Sequence, residues 1–500
     1  MVLRLPLPGS SDERSAFDLL QRSFVPMFTR LFADPSLPRT VVVVPSLTLA
    51  QDELAKIDGV IHYEERMLGL LLLLRMPGAR VVYVSSLPIH PDIVSYHLDL
   101  MPDVADARSR LHMISLGDSS LRPLTEKMLD RPDVMTRVRT AVDDPGSAHV
   151  SCFVATAAEL SLAVQLGLPI YAPDPSLWRF GTKSEARRLF RRAGIAVPDG
   201  FEDVWSANGI VEALETLRRR PAARAVVKLD DGFSGEGNAV IDLRGEEPIL
   251  DLADRLEFES RSESWEAYRR KLARTGAVVE EWLEGEEVRS PSVQCRIDPT
   301  GRAAVISTHD QMLGGPHGQV FMGCRFPSDC AYRPGITRAA LDIAKALAGE
   351  GVVGRFGVDF VVVRRGPVWD VYGLEINLRK GGTTLPFMML DFLARGAYDA
   401  GGGEYHIPGG ETRAYVASDN VVSDTYRGMA PADAVGAVQH LAFDRGRRSG
   451  VVLHLLGALP GHGKLGLTAI AADAEAAQDL FDRAVAALDA AAGVRGITAL

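Results

Sequence analysis

Two carboxylates and an amide, Asp359, Glu375 and Asn377, stand in a pattern that suits a cation. Asp359 is the lone charge of an apolar run, Val358-Asp359-Phe360-Val361-Val362-Val363, which reads as a strand. Glu375 and Asn377 lie two apart on the following strand, so they share one face. Partners in a hairpin keep a constant index sum, and Asp359 with Glu375 centres the pair on position 367, within a residue or two of the turn signal Arg364-Arg365-Gly366-Pro367. The two acids should therefore lie nearly opposite. Like charges across a sheet repel, and buried carboxylates without partners are costly. A cation between them removes both problems, and an oxygen-only donor set suits Mg²⁺ held together with phosphates. Salt bridges to Arg355 or Arg379 are the plainer alternative. Asp370 is a rival first carboxylate, but it sits nearer the turn, and Asp359 is preferred.

A second piece is Val226-Val227-Lys228-Leu229-Asp230-Asp231-Gly232-Phe233-Ser234-Gly235-Glu236-Gly237. A strand ends in a cation and enters a loop whose backbone N–H groups could surround phosphate oxygens at Gly232, Ser234, Gly235 and Gly237. A third is Glu280-Glu281-Trp282-Leu283-Glu284-Gly285-Glu286-Glu287, a strand that could lay backbone and apolar surface along a purine, with a later carboxylate for ribose hydroxyls. An exposed acidic turn is its plain alternative. The P-loop lookalike Gly461-His462-Gly463-Lys464-Leu465 fails, with Ala458 in the first glycine's place and Leu465 where Ser or Thr belongs, and it reads as a loop.

The elements that must position these pieces fall into three stretches. In residues 1–175 the candidate strands Val41–Val44, Arg80–Val84, Leu111–Ser115, Val150–Val154 and Pro169–Ala172 alternate with helical patterns such as Glu64–Arg75 and Thr156–Leu166. That alternation predicts a parallel α/β layer, without the G-x-G-x-x-G of a dinucleotide site. Residues 176–390 read as α+β and mostly antiparallel. A helix capped at Thr182-Lys183-Ser184-Glu185 and closed by Gly194 comes first. Strands follow at Ala225–Leu229, Asn238–Leu243, Ala277–Leu283, Glu287–Arg296 and Arg302–Thr308, with a helix at Glu263–Thr275. Next come a glycine-rich loop, Gly314 to Gly323, a helix at Thr337–Gly349 and the hairpin Phe356–Val363 with Val368–Asn377. Residues 391–500 are mixed and end in an alanine-rich amphipathic helix, Asp473–Ala491.

Composition narrows the classes. The 500 residues carry a formal charge of −10, the wrong sign for a phosphate-backbone binder, so no nucleic-acid partner is expected. The longest apolar run, Met67 to Leu74, is too short to span a bilayer, and no signal peptide is evident. Cys152, Cys295, Cys324 and Cys330 form no C-x-x-C pair, which argues against a disulfide framework or a zinc site. A soluble, cytoplasmic, multidomain protein is the expectation. Only eight of the 55 basic residues are lysine, so Lys183 and Lys228 are more informative than usual.

In order, Lys183, Lys228 with its glycine loop, Glu280–Leu283, Glu287, Asp359, Glu375 and Asn377 resemble the ATP-grasp ligases. Glu280-Glu281-Trp282-Leu283 with Glu287 is similar to the adenine–ribose segment of D-alanine–D-alanine ligase. Glu375-Ile376-Asn377-Leu378-Arg379-Lys380-Gly381-Gly382-Thr383-Thr384 and Thr308-His309-Asp310-Gln311 resemble the pheganomycin-type peptide ligases. The resemblance implies a pre-ATP-grasp α/β domain (1–175), an α+β ATP-grasp core (176–390) and a family-specific C-terminal domain (391–500). It also implies an acid and an amine joined at the expense of ATP through an acyl phosphate.

The resemblance implies roles as well. Lys183 and Lys228 would hold the α- and β-phosphates, with residues 232–237 over the γ end. Glu280 and the backbone of Glu281 and Leu283 would meet adenine, and Glu287 the ribose. Asp359, Glu375 and Asn377 would carry two Mg²⁺, Glu375 bridging. Arg379 would meet the acyl phosphate, with a salt bridge to Asp359 or Glu375 as its plain alternative. His309, Asp310, Gln311 and His317 would serve the substrates beside the Gly314–Gly323 loop, which could act as a lid, and His309 is a general-base candidate. Some relatives carry an arginine immediately ahead of the first metal-carboxylate pair; here Gly357-Val358 precede Asp359, which puts a phosphate role for Arg355 in doubt. The implied partners are a small-molecule carboxylate, amino-acid-like or guanidino, and an amino-acid or peptide amine, in specialised metabolism; a homodimer is allowed for. A non-amine acceptor, or a nucleotide sensor without catalysis, are the alternatives.

Overall fold

A computed structural model describes residues 6–49, 51–220, 222–232, 237–245, 249, 252–260 and 262–498. Its first layer is a four-stranded parallel sheet in the order Leu111–Ser115, Ala79–Ser85, Arg39–Val44, Ala148–Cys152. Alternate valines feed opposite faces: Val42, Val44, Val82 and Val84 pack into one core, and Val41, Val43, Val81 and Tyr83 into another. The expected fifth strand, Pro169–Ala172, is reduced to a single bridge from Val150 to Ile170. Pro169 has no N–H to donate, which weakens pairing there. The leucine run forms a 16-residue 3-10 helix, Val60–Arg75. Leu70, Leu71, Leu72 and Leu74 are all buried, because this helix lies between the N-terminal sheet and residues such as Met389 and Val452 from beyond it.

The second layer is a five-stranded antiparallel sheet in the order Gly200–Val204, Ala277–Glu281, Arg224–Leu229, Asn238–Asp242, Glu257–Phe258. The helices Ala207–Arg218 and Trp265–Thr275 close its core with Ile210, Leu214, Tyr268 and Leu272. The third is an 11-stranded sheet whose central strands are Gly354–Arg365, Pro291–Ile297 and Ala303–Gly314. Helix Arg333–Gly349 covers one face of it through Ile336, Ala340, Ile343 and Leu347.

Three expectations change. The strand Glu287–Arg296 is broken into Glu287–Arg289, paired with Gly354–Arg365, and Pro291–Ile297. Pro291 interrupts the donor ladder at that step. Arg302–Thr308 is the start of a longer strand, Ala303–Gly314, and much of the expected glycine-rich loop is its return strand, Val320–Phe326. The turn between them uses left-handed Gly315 and Gly318, while Gly323 stays in the strand because the carbonyl of Ala417 leaves no room for a Cβ. Finally, Val320–Phe326 pairs with Thr412–Val422, which pairs with Lys464–Ala471, so the sheet runs on through position 390 into the C-terminal stretch.

Candidate active site

The second and third layers face each other across a cavity of about 720 Å³. The hairpin Gly354–Arg365 with Val368–Asn377 forms one wall, and its register sets Asp359 directly opposite Glu375. A bulge follows at once, between Asp359 and Phe360, on the turn side of the pair. The Asn377 amide nitrogen donates to Asp359 Oδ2 at 2.9 Å and to Glu375 Oε1 at 3.2 Å. A donor thus occupies the gap between two acids where a cation's charge would be favoured. Burial and the neighbouring Glu375 push the Asp359 carboxyl well above its ordinary range. Lys183, 3.4 Å from Glu375, together with the Asn377 amide holds Glu375 below its own range against the cost of burial. One acid kept charged beside one reluctant to ionise is a pair lacking positive charge. The oxygen donor set fits Mg²⁺, once the Asn377 amide turns to present its oxygen.

The opposite wall supplies the cations. Lys183 opens helix Lys183–Arg192, whose N-cap Thr182 accepts from the Glu185 amide. The Ser184 amide donates to Asp230 at 2.8 Å, just beyond the strand that carries Lys228. That bond fixes the two lysines relative to each other. Glu280 is 1% exposed, with Lys228 at 3.6 Å and Arg187 at 3.3 Å. Both Glu280 carboxylate oxygens are buried without a hydrogen-bond partner among the described residues. Glu281, Trp282 and Leu283 continue along the same wall, and the Arg224 guanidinium lies 4.9 Å over the Trp282 ring.

Arg379 follows the hairpin and donates to the Asn377 amide oxygen at 2.9 Å. Its loop is pinned on two sides. Lys380 donates to the Cys152 carbonyl of the N-terminal sheet at 2.5 Å, and Gln294 bridges Thr383 and Thr384 at 2.7 and 2.6 Å. Burial lowers the Lys380 ammonium to about 8.

The sequence candidates divide. Lys183, Lys228, Gly232, Glu280, Glu281, Leu283, Gln311, His317, Asp359 and Glu375 line the main cavity. Asn377 and Arg379 line its continuation towards the N-terminal layer, and Gly237 lines a neighbouring cavity that reaches Arg379. Ser234 and Gly235 lie outside the described residues. His309, expected beside the substrates, is instead fully buried against Tyr415 and Phe326, with its Nε2 2.6 Å from the Tyr415 hydroxyl. Desolvation lowers its pKa to about 3, so in place it is neither exposed to substrate nor protonated near neutrality. Asp310 is engaged by the Tyr332 hydroxyl at 2.6 Å and the Asp329 amide at 2.9 Å, away from the cavity. The reason is local: this segment is interior strand rather than loop edge. Glu287 turns to Arg289, at 2.6 Å, and Arg364, at 3.3 Å, outside the cavity lining. The rival Asp370 pairs with Arg365 near the turn. Arg355 is half-buried beside Tyr171 and Arg296 and lines none of the cavities described above.

Sequence reasoning missed Arg187, Arg66 and Asp419. Arg187 was hidden in an arginine-rich helix, and only its complete burial sets it apart.

Comparisons with known proteins bear on the fold and the family. A family model described as "IQCH-like, ATP-grasp" matches residues 177–253 and 246–400, and one described as "PGM1 C-terminal domain" matches 437–484. L-propargylglycine–L-glutamate ligase of Streptantibioticus cattleyicolor is 34% identical over 466 residues, which are 90% of this chain and 94% of that protein. The biotin carboxylase of Campylobacter jejuni superposes over 88% of this chain and 89% of its own, with a TM-score of 0.54 and 14% identity. An N5-carboxyaminoimidazole ribonucleotide synthetase, solved with ADP, covers 91% of this chain and 98% of its own, with a TM-score of 0.52 and 14% identity. These two likenesses establish the fold; the ligase relative, matched along nearly its whole length, establishes the family. The chain belongs to the ATP-grasp family and is an ATP-dependent carboxylate–amine ligase.

Proposed function

We propose that this ligase joins an amino-acid-like carboxylate to the amine of an amino acid or peptide, through an acyl phosphate, in specialised metabolism. The observation that carries the reading is the alignment of Asp359, Glu375, Asn377 and Arg379 in one continuous cleft with Lys183 and Lys228. The named relative joins L-propargylglycine to L-glutamate, which supports the substrate class.

ATP would lie along the wall built by Lys228, Glu280, Glu281 and Leu283, with Lys183 at the phosphates. Asp359, Glu375 and Asn377 would hold Mg²⁺, which we propose as two ions. When bound, Mg²⁺ screens charge along the transferring phosphoryl group. The donor carboxylate attacks the γ-phosphorus, ADP leaves, and the amine then displaces phosphate from the acyl carbon. The protein's work is positioning and charge stabilisation. The Arg379 guanidinium lies next to the metal-binding acids, where a planar fork suits carboxylate and phosphate oxygens, and turning the Asn377 amide towards the metal would release it from the Asn377 oxygen. Excluding water from the cleft protects the acyl phosphate.

The test is a screen of carboxylate–amine pairs for ADP release, with mass detection of the product and hydroxylamine as a trap. ADP release that needs both substrates, with a product whose mass is the sum of acid and amine less one water, supports the reading. ADP release with an acid alone and no amide from any amine would overturn it in favour of another acceptor.

A further inference from the structure

Beyond Arg379 the cleft continues into a cavity of about 360 Å³ walled by three parts of the chain. Tyr63 and Arg66 come from the 3-10 helix Val60–Arg75, Asp419 from strand Thr412–Val422, and Lys464 from the start of strand Lys464–Ala471. Arg66 is 8% exposed and Lys464 7%. The Arg66 guanidinium is held by Asp419 at 2.7 Å and lies over the rings of Tyr63 and Phe153, 5.2 and 5.4 Å from their centroids. Its Nε is buried without a hydrogen-bond partner among the described residues. Lys464 donates to the Tyr63 hydroxyl at 2.7 Å, and among the described residues no carboxylate stands at ion-pair distance from it.

Asp419 cannot balance both cations. It is shared between Arg66 and His454, whose Nε2 lies 2.8 Å away, and these neighbours, with Lys464 beyond ion-pair distance, hold it ionised. Glu53, Asp58, Asp359 and Glu375 also line this cavity but are engaged by Lys56, His462, Asn377 and Lys183. The corner of Arg66 and Lys464, with Asp419 as its shared carboxylate, therefore keeps positive charge that an anion would complete. Burying such charge uncompensated is costly.

A different cavity, about 580 Å³, also reaches Arg379, from the side of the N-terminal sheet. Leu47, Phe153, Leu160 and Trp178 wall it, so it suits an apolar group. Two approaches of opposite character thus meet at the residue assigned to the acyl phosphate.

Resting on the ligase reading above, we propose that Arg66 and Lys464 form the subsite for a carboxylate carried by the amine substrate, so that the acceptor is an acidic or free-carboxylate amino acid. The apolar cavity is left to the side chain of the donor. Lys464, which fails as part of a phosphate loop, thereby gains a role as a determinant of acceptor specificity.

The experiment titrates L-glutamate, L-glutamine and n-butylamine calorimetrically into the full chain loaded with Mg²⁺ and a non-hydrolysable ATP analogue. L-glutamate should bind and n-butylamine should not, with L-glutamine weaker than L-glutamate. Lys464→Met should weaken L-glutamate at least about 10-fold, as loss of a charge-assisted bond predicts. Lys464→Arg should retain most of the binding, which guards against a folding defect in the methionine variant. Affinity for the ATP analogue should stay within about twofold in both. No L-glutamate binding to the wild-type chain, or an unchanged affinity in Lys464→Met, would overturn the subsite. A product in which glutamate contributes its carboxylate rather than its nitrogen would overturn the acceptor assignment. The ligase reading stands or falls separately, on ADP release from any carboxylate–amine pair.

Discussion

At Asp359 and Glu375, structure and function pull in opposite directions. The Asp359 carboxyl is driven up by burial and by Glu375, so its charge destabilises the unliganded fold near neutrality. The sign follows from linkage: a carboxyl with a raised folded-state pKa loses stability as pH rises above its unfolded value. Asp359→Asn should therefore raise the melting temperature of the nucleotide-free chain, by the equivalent of on the order of 1–2 kcal/mol, discounted for the cavity that borders the pair. The same variant should lose the thermal stabilisation by Mg²⁺ and ATP. A calorimetric scan with and without ligand checks both, and a lowered melting temperature without ligand would contradict the repulsion. Glu280 behaves in the reverse sense. Its carboxylate is the buried counter-ion of Lys228 and Arg187, so Glu280→Gln should cost about 3 kcal/mol in urea unfolding, as breaking a buried pair does. A cost below half of that would show the two cations to be satisfied elsewhere. The acids of the hairpin were legible in the sequence because a charge within an apolar strand is conspicuous. Arg187 and Arg66 were not, since an arginine-rich chain hides the few that are buried.

Elements explain which candidates reach the cleft. The turn at Gly366-Pro367 set the two acids nearly opposite; the register at the turn itself, Arg365 with Val368, would put Asp359 against Leu374, and the bulge beyond Asp359 moves it onto Glu375. The bulge beyond Asp359 could not be read, because it depends on how this strand meets its neighbours. The return strand Val320–Phe326 was taken for loop on its glycines. One of its partners, Ala303–Gly314, is adjacent, but the other, Thr412–Val422, is remote in sequence and leaves no local signal. His309 was misplaced for the same reason, since what buries it includes Tyr415 on the remote strand Thr412–Val422. This burial has a measurable consequence. His309 is held neutral, at about 3, and His97, also fully buried, at about 4. A histidine with a depressed folded-state pKa binds its proton more readily when unfolded, so stability falls as pH drops below about 6.5 towards those values. Urea midpoints taken from pH 7 down to pH 5 should decline, and His309→Gln should flatten part of that slope. An unchanged slope in His309→Gln would show that its burial is not coupled to folding.

The whole chain closes around the cleft. The N-terminal sheet holds the Arg379 loop through Lys380 and Cys152. The C-terminal strands continue the central sheet and bring Asp419 and Lys464 to the same cleft. The change from a parallel sheet to antiparallel ones was legible because the patterning shifts visibly along the sequence. The continuity of the large sheet across position 390 was not. Lys380→Met should loosen that tie and lower kcat more than it changes ATP affinity, since it moves Arg379 rather than the nucleotide wall. The most direct test of the account is Arg379→Ala, with ATP-analogue affinity and amide formation measured on the same preparation. The account predicts near wild-type affinity for the analogue with amide formation reduced roughly 10²–10³-fold, the loss typical of removing one preorganised donor to a developing oxyanion. Near-normal amide formation, or loss of nucleotide binding in step with activity, would contradict it.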